Sequence, residues 1–365
     1  MRRTTKLGIT AFITTAVSLI PSAAYGAEPG TYANWALSGS NGNWTAKGTP
    51  AAGFPMASMA SNATSVSSPS GASAFMGPGT PIGAAYGSSQ NMNYLNISTA
   101  AGITESTSTW TFDSPTPAGK WAFAVGDVDA DRVQISATDE NGDPVPAAQL
   151  GFQSTFNYCA SSPKPGSCAG PGPFTDVPTW NPGTSRLTGN TLDTMGASAW
   201  FEPTAAIKTL TFKFTAIVGF PVFQLWLATK SVPVVVPVGG VTPECPATVE
   251  LDEPDGTPIL DANGNPVTAE TGANGEAVID GVADGSYNLH LTTGSCGEIT
   301  GPTDFPIIVK TEEGPVNIPA GTFTVFVPTL PATGTSIGAY VQTGAAMLGT
   351  GAILFWVGTR RRRLS

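Results

Sequence analysis

The chain has 365 residues, with 16 Lys and Arg against 26 Asp and Glu and a formal net charge of −10. Seven of the basic residues, Arg2, Arg3, Lys6 and Arg360 to Arg363, lie at the two termini; between them nine basic residues face all 26 acidic ones, a net −17. Such a surface repels nucleic acid and anionic lipid, which excludes both as partners.

In chain order, the first element is a basic start, Arg2, Arg3 and Lys6, followed by a 14-residue apolar core, Leu7 to Ile20, and the small residues of Pro21 to Gly26. Residues 1–26 therefore read as a secretory signal peptide, cleaved after Ala24 or Gly26. In an exported chain the four cysteines, Cys159, Cys168, Cys245 and Cys296, read as disulfides. The simplest of the three pairings joins 159 to 168 and 245 to 296. Zinc is the alternative, but no CxxC spacing is present.

Residues 27–230 are expected to form a first domain. Up to about Thr109 the sequence is rich in Gly, Ser, Ala, Asn and Thr and reads as irregular loops with a few edge strands. From there alternation at period two is clear: Trp110 and Phe112; Trp121, Phe123 and Val125; Val133, Ile135 and Ala137; Leu210, Phe212 and Phe214; Phe223, Leu225 and Leu227. No stretch between the termini keeps a helical period. The fold class is all-β, and this domain an antiparallel β-sandwich, jelly-roll-like.

Within it, Asp127, Asp129 and Asp131 are candidate calcium ligands, since carboxylates spaced at period two repel one another unless a cation or Arg132 intervenes. An EF-hand is excluded, because Arg132 stands where that loop needs Gly and Thr138 where it needs Glu. The plain alternative is an acidic strand end. Trp35, Trp44, Trp180 and Trp200 lie in loop-like sequence and are candidate ligand contacts, against the ordinary expectation that tryptophan packs inside. The excursion from Cys159 to Pro173 reads equally as a binding loop or as a lid over a sheet edge. Asp139 to Val145 recurs in outline as Asp261 to Val267, and both predict Asn-Gly hairpin turns.

Residues 231–243, with spaced prolines among valines, read as a stiff connector. Residues 244–327 predict short strands at Thr248 to Leu251, Ala277 to Asp280, Tyr287 to Thr292, Phe305 to Val309 and Thr322 to Val327. Val249-Glu250-Leu251, Thr271 to Ala277 and Gly281 to Leu289 resemble the prealbumin-like B-type repeats of Gram-positive collagen adhesins and pilins. That resemblance implies a small β-sandwich acting as a stalk. Many such repeats carry a Lys–Asn isopeptide bond, but here Glu250 and Asp252 stand where its lysine would lie, so a Cys245–Cys296 bond is the expected tie. The pilin motifs for polymerisation are absent, with His290 and Leu291 where a Glu-Thr pair would be expected.

The last elements are Leu330-Pro331-Ala332-Thr333-Gly334, a 21-residue apolar run, Ile337 to Val357, and the basic tail 360–365. At about 1.5 Å per residue that run reaches roughly 30 Å, one hydrocarbon thickness, so a C-terminal transmembrane helix is expected in the precursor. The arginines hold the tail on the cytoplasmic side. This order resembles the LPxTG signal of proteins that sortases attach to the Gram-positive wall. The resemblance implies cleavage after Thr333 and its transfer to the peptidoglycan precursor. The chain is then secreted and wall-anchored, and its first domain would meet a host or environmental protein or glycan.

No catalytic set is visible. The single histidine, His290, falls on a predicted strand, and no Gly-x-Ser-x-Gly elbow accompanies it. The sequence reads as a non-enzymatic adhesin or ligand-display protein. A structural spacer of the wall and a carboxylate-dependent wall hydrolase are the alternatives.

Overall fold

The computed structural model describes residues 31–328 except 101–103, 193 and 220. The expected signal peptide, sorting signal, transmembrane segment and basic tail lie outside these residues.

Seven strands form one sheet of the first sandwich, in the order Phe152–Asn157, Ala197–Phe201, Trp121–Gly126, Val222–Thr229, Leu95–Ser98 and Ser65–Ser67, with Thr31–Tyr32 also on Val222–Thr229. The facing sheet has eight: Thr179–Asn181, Arg186–Thr188, Asp131–Thr138, Thr209–Ala216, Glu105–Phe112, Ala57–Ser61, Asn43–Thr49 and Asn34–Ser40. All these pairings are antiparallel. The alternating residues picked out between Trp110 and Leu227 all turn inward and are buried together. Aromatic rings dominate this core: Phe123 stacks on Phe201 at 4.7 Å and meets Phe212 edge-on at 5.8 Å.

The segment expected to be mostly irregular supplies three neighbouring strands, Asn34–Ser40, Asn43–Thr49 and Ala57–Ser61. Their alternation is hidden because the inward residues are small: Ala46, Ala57 and Ser61 are buried along with Trp35 and Met59. Trp35 lies opposite Gly48 in register, and a Cβ on that glycine would sit 2.7 Å from the indole. Only glycine leaves the ring its place.

A second apolar cluster covers the outer face of the seven-stranded sheet. Ala122, Ala124, Trp226 and Ala228 point out of the sandwich and are buried under Ala74, Met76, Ile82, Tyr86, Tyr94, Tyr158, Cys159 and Cys168. The short helix Pro81–Tyr86, capped by the Thr80 side chain accepting from Gly83 N, is part of this cover. Cys159 and Cys168 are bonded to each other, as are Cys245 and Cys296. The excursion between the first pair is thus a lid, laid over a sheet face rather than an edge.

The second sandwich packs a five-stranded sheet, Glu276–Val282, Val232–Gly239, Phe323–Phe326 and Glu298–Ile299 with Val316–Asn317 on Val232–Gly239, against four strands, Thr268–Glu270, Ala247–Asp252, Gly285–Thr293 and Asp304–Val309. The expected connector is therefore corrected. Val232–Gly239 is extended, but it is a central strand of this sandwich with Val232, Val234, Val236 and Val238 buried. Pro233 is accommodated at a register shift between Val232 and Val234. Only Lys230 and Ser231 separate it from the last strand of the first sandwich.

That short passage is reinforced. Ala52 N donates to Gly281 O and Ala283 N to Ala52 O, both at 2.9 Å, so a loop of the first sandwich pairs with Val282 of the second. Lys120 Nζ lies 2.9 Å from Asp284 Oδ2 and 3.4 Å from Glu312 Oε2. Both carboxylates raise its pKa, chiefly through the Asp284 hydrogen bond. Gly53, at φ +77°, fits against Tyr287, where a Cβ would come 2.2 Å from the phenolic oxygen. Val232 sits at this junction, and Phe323–Phe326 runs parallel to it from Val238 onward. The chain therefore leaves the second sandwich at the end away from the first.

Candidate functional site

Strand directions define the two ends of the first sandwich. Trp121–Gly126 starts beside Lys120 at the junction and ends about 17 Å away at some 3.4 Å per residue. Asp131–Thr138 and Val222–Thr229 run back from that far end, paired through the registers Ala216 with Asp131 and Gln224 with Gly126. The connections 127–130, 189–196 and 217–221 consequently meet there. Residue 176 joins them through Asn157, at the far end of its strand opposite Ala197.

Asp127, Asp129 and Asp131 occupy this far end. They do not share one strand face: Asp127 to Ala130 form the turn between two strands, Asp127 at φ 61°, and Asp131 opens the next. Asp129 and Asp131 are buried. Asp129 Oδ1 accepts from Ala130 N at 2.5 Å and Oδ2 from Thr194 N at 2.9 Å. The Asp129 carbonyl takes Thr191 N and the Asp131 carbonyl takes Gly189 N, both at 2.9 Å. Gly189 is required by this approach, since a Cβ there would lie 1.9 Å from the Asp129 carbonyl oxygen. Among the described residues no three His, Cys, Asp or Glu side chains are grouped to hold a metal ion, so the calcium expectation has no such grouping behind it.

Asn157 ties the neighbouring loops. Its Nδ2 donates to Asp176 O and Oδ1 at 3.1 Å and to Met195 O at 2.9 Å, and its Oδ1 accepts from Cys159 N at 2.9 Å. Thr194 Oγ1 donates to Asp176 Oδ2. Ala130 O receives both Ile217 N and Val218 N, at 2.8 and 3.1 Å. One hydrogen-bonded network thus fixes all four connections. Just behind it, Tyr158 donates to Gln224 Oε1 at 3.0 Å, and burial first, then Asp127, pushes its phenol far above the usual range.

The candidate tryptophans are elsewhere. Trp35 and Trp200 are buried, Trp200 with its Nε1 on Ser154 Oγ at 3.0 Å. Trp44 and Trp180 are half-buried against the main core, and Trp180 stacks on Phe152 at 5.8 Å and meets Phe201 at 5.0 Å. The exposed ligand platform expected of them is corrected: Trp35, Trp44 and Trp180 sit on strands and pack on the main core, while Trp200, opposite Ala124, lies in the covered cluster on the outer face of the seven-stranded sheet. Among the described residues, the large exposed apolar side chains of the first sandwich are Val177, Leu192, Met195 and Val218, at 37, 57, 48 and 46% exposure. Every one lies on the far-end network. Sequence reading passed over them, although an apolar residue in a Gly, Asn and Thr-rich loop is a signal of its own.

His290 stands on Gly285–Thr293 between Glu250 and Asp304 in register, its Nδ1 2.9 Å from Asp304 Oδ1. Beside this row Asp252 is buried with Oδ1 lacking a hydrogen-bond partner, and burial, then Glu250, raises its pKa to about 6. Asp304, exposed and hydrogen-bonded by Thr303 and His290, is held at about 2. The repeated turns are nearly identical: Asp139 Oδ1 accepts from Asn141 N and Asp143 N, and Asp261 Oδ1 from Asn263 N and Asn265 N, all at 2.9 Å.

Neither a protein-family profile nor a curated protein matches the sequence. Among solved structures, the major pilin subunit BcpA of Bacillus cereus is similar at 10% identity over 62% of this chain and 65% of that one, less than two thirds of its length, with a TM-score of 0.22. The full-length major pilin SpaD of Corynebacterium diphtheriae gives 14%, 63% of each chain and 0.24. A group B streptococcus pilus 2b backbone protein gives 10%, 61% and 94%, and 0.23. Superpositions this loose carry no argument about fold or function.

Proposed function

We propose that the chain is a cell-wall-anchored surface protein that displays its first sandwich on its second. The carrying observation is the end-to-end order. The far-end connections, the first sandwich, the junction at Lys120 and Ala52, the second sandwich and the exit after Phe326 follow one another along the molecule. In sequence, Pro331 of the Leu330 to Gly334 signal stands five residues beyond the strand that ends at Phe326. Thr333 is the residue joined to the wall in this reading, by a sortase acting on the secreted precursor. An acidic second sandwich, 14 carboxylates against Lys310 between Glu244 and Thr333, suits a solvated stalk.

Adhesion or ligand display is favoured over a plain spacer because the exposed apolar side chains of the first sandwich gather at the end opposite the stalk. The test is wall fractionation of cells expressing the full chain and a Thr333→Ala variant. The wild type should remain covalently in the wall fraction and the variant should pass to membrane and medium. Equal covalent retention of both would end the anchoring assignment.

A further inference from the structure

The structure offers no exposed tryptophan platform at the positions where sequence suggested ligand contacts, but it does present aliphatic side chains. Val177, Leu192 with Met195, and Val218 belong to three separate connections and are 37 to 57% exposed. Chance exposure would scatter them over both ends of the sandwich; all are at the far end. Their loops are also fixed before any partner arrives. Asp129 holds Thr191 and Thr194 and Ala130 holds Ile217 and Val218, while Asn157 and Asp176 hold Met195 and Thr194 and Asp176 itself precedes Val177. Little ordering remains to oppose binding at such a surface.

The chemistry of the partner follows from what surrounds these side chains. Aliphatic groups give a sugar ring no face to stack on, whereas they pack well against Leu, Val or Ile of another polypeptide. Among the described residues of the connections 127–130, 176–178, 189–196 and 217–221, Asp127, Asp129 and Asp176 are charged and no Lys or Arg occurs. Where the adjoining strand begins, Asp131 adds a further carboxylate and the exposed Arg132 beside it one positive charge, which leaves four carboxylates against one guanidinium among the described residues. The field at this end is therefore negative, which steers cationic segments toward it and turns anionic ones away. We propose that the far end of the first sandwich is a docking surface for a basic polypeptide segment rich in aliphatic residues. This rests on the display reading above and narrows it to one surface and one class of partner.

The test uses the purified full chain and three fluorescent dodecapeptides, of alternating lysine and leucine, lysine and serine, and glutamate and leucine. The lysine–leucine peptide should bind about ten-fold or more tightly than either other, a difference set by charge and apolar contact together. Replacing Leu192, Met195 and Val218 together by Ser should remove that advantage, while Ile308→Ser with Phe326→Ser on the second sandwich should not. The single variants Leu192→Ser and Val218→Ser, each with the wild-type unfolding midpoint, should each weaken binding and stand in for the triple variant if it folds poorly. Equal binding of the lysine–serine peptide, or unchanged binding by the single variants, overturns the proposal. Wall retention of the same variants is read in parallel: retention without tip binding overturns the docking surface alone, whereas loss of covalent retention by the wild type overturns the display reading.

Discussion

The two sandwiches are held together by different means. The first closes over a core of stacked and edge-on rings, Trp110, Phe112, Trp121, Phe123, Phe201, Phe212 and Phe223, and its disulfide ties two residues only nine apart in a surface lid. The second has a core mainly of Val, Ile and Leu, and its disulfide joins residues 51 apart. Aromatic burial is expected to carry most of the first domain's stability, and the disulfide across the fold a larger share in the second, which is smaller and has more carboxylates.

The sharpest way to break this contrast is to remove one support from each side. Phe212→Ala should cost the first sandwich about 3–5 kcal/mol, from lost burial and the cavity left among Trp110, Phe123 and Phe223. Calorimetry should show its transition fall while the second stays in place. Removing Cys245 and Cys296 together should cost the second sandwich about 4 kcal/mol on the chain-entropy account, against about 2.5 for Cys159 and Cys168. Equal losses from the two pairs would mean that loop length is not what the long disulfide contributes.

Smaller effects sharpen the boundary between the domains. Lys120 and Asp284 are partly exposed, at 47 and 20% of their side chains, so Lys120→Ala should cost no more than about 1 kcal/mol. Its visible consequence should be looser coupling, seen as a wider gap between the two unfolding midpoints. A wild-type gap would show that the backbone pairing at Ala52 carries the junction alone.

The smallest expected effect is a pH dependence confined to the second sandwich. Asp252 has its folded pKa raised to about 6, so its protonated form is preferred in the fold. The stability it contributes is complete below its unfolded value near 4 and is lost as pH rises through 6. The second midpoint should therefore decline between pH 4 and 7, and Asp252→Asn should flatten that decline. Asp304, held at about 2, acts in the opposite sense and below pH 4, which keeps the two windows apart. A decline unchanged in Asp252→Asn would assign it to other carboxylates.

Much of this architecture was legible in the residues. Period-two alternation from Trp110 onward names the first core, and the Asn141-Gly142 and Asn263-Gly264 turns fold alike because each aspartate accepts the same two backbone donors. The strands at 34–61 were hidden because Ala, Gly and Ser fill half of their inward positions, leaving no apolar rhythm. Val232, Val234, Val236 and Val238 do keep that rhythm, but Pro233 and Pro237 between them make the segment look like a linker. The candidate site was the least legible part. Its residues come from four connections far apart in sequence, and only the registers Ala216 with Asp131 and Asn157 with Ala197 bring them to one end.

Hydrogen–deuterium exchange of the full chain, with and without the lysine–leucine dodecapeptide, tests the central claim most directly, because it reads every loop at once. The account predicts new protection at 189–197 and 216–219 and none at 281–285. Protection confined to the junction, or to the second sandwich, would contradict it.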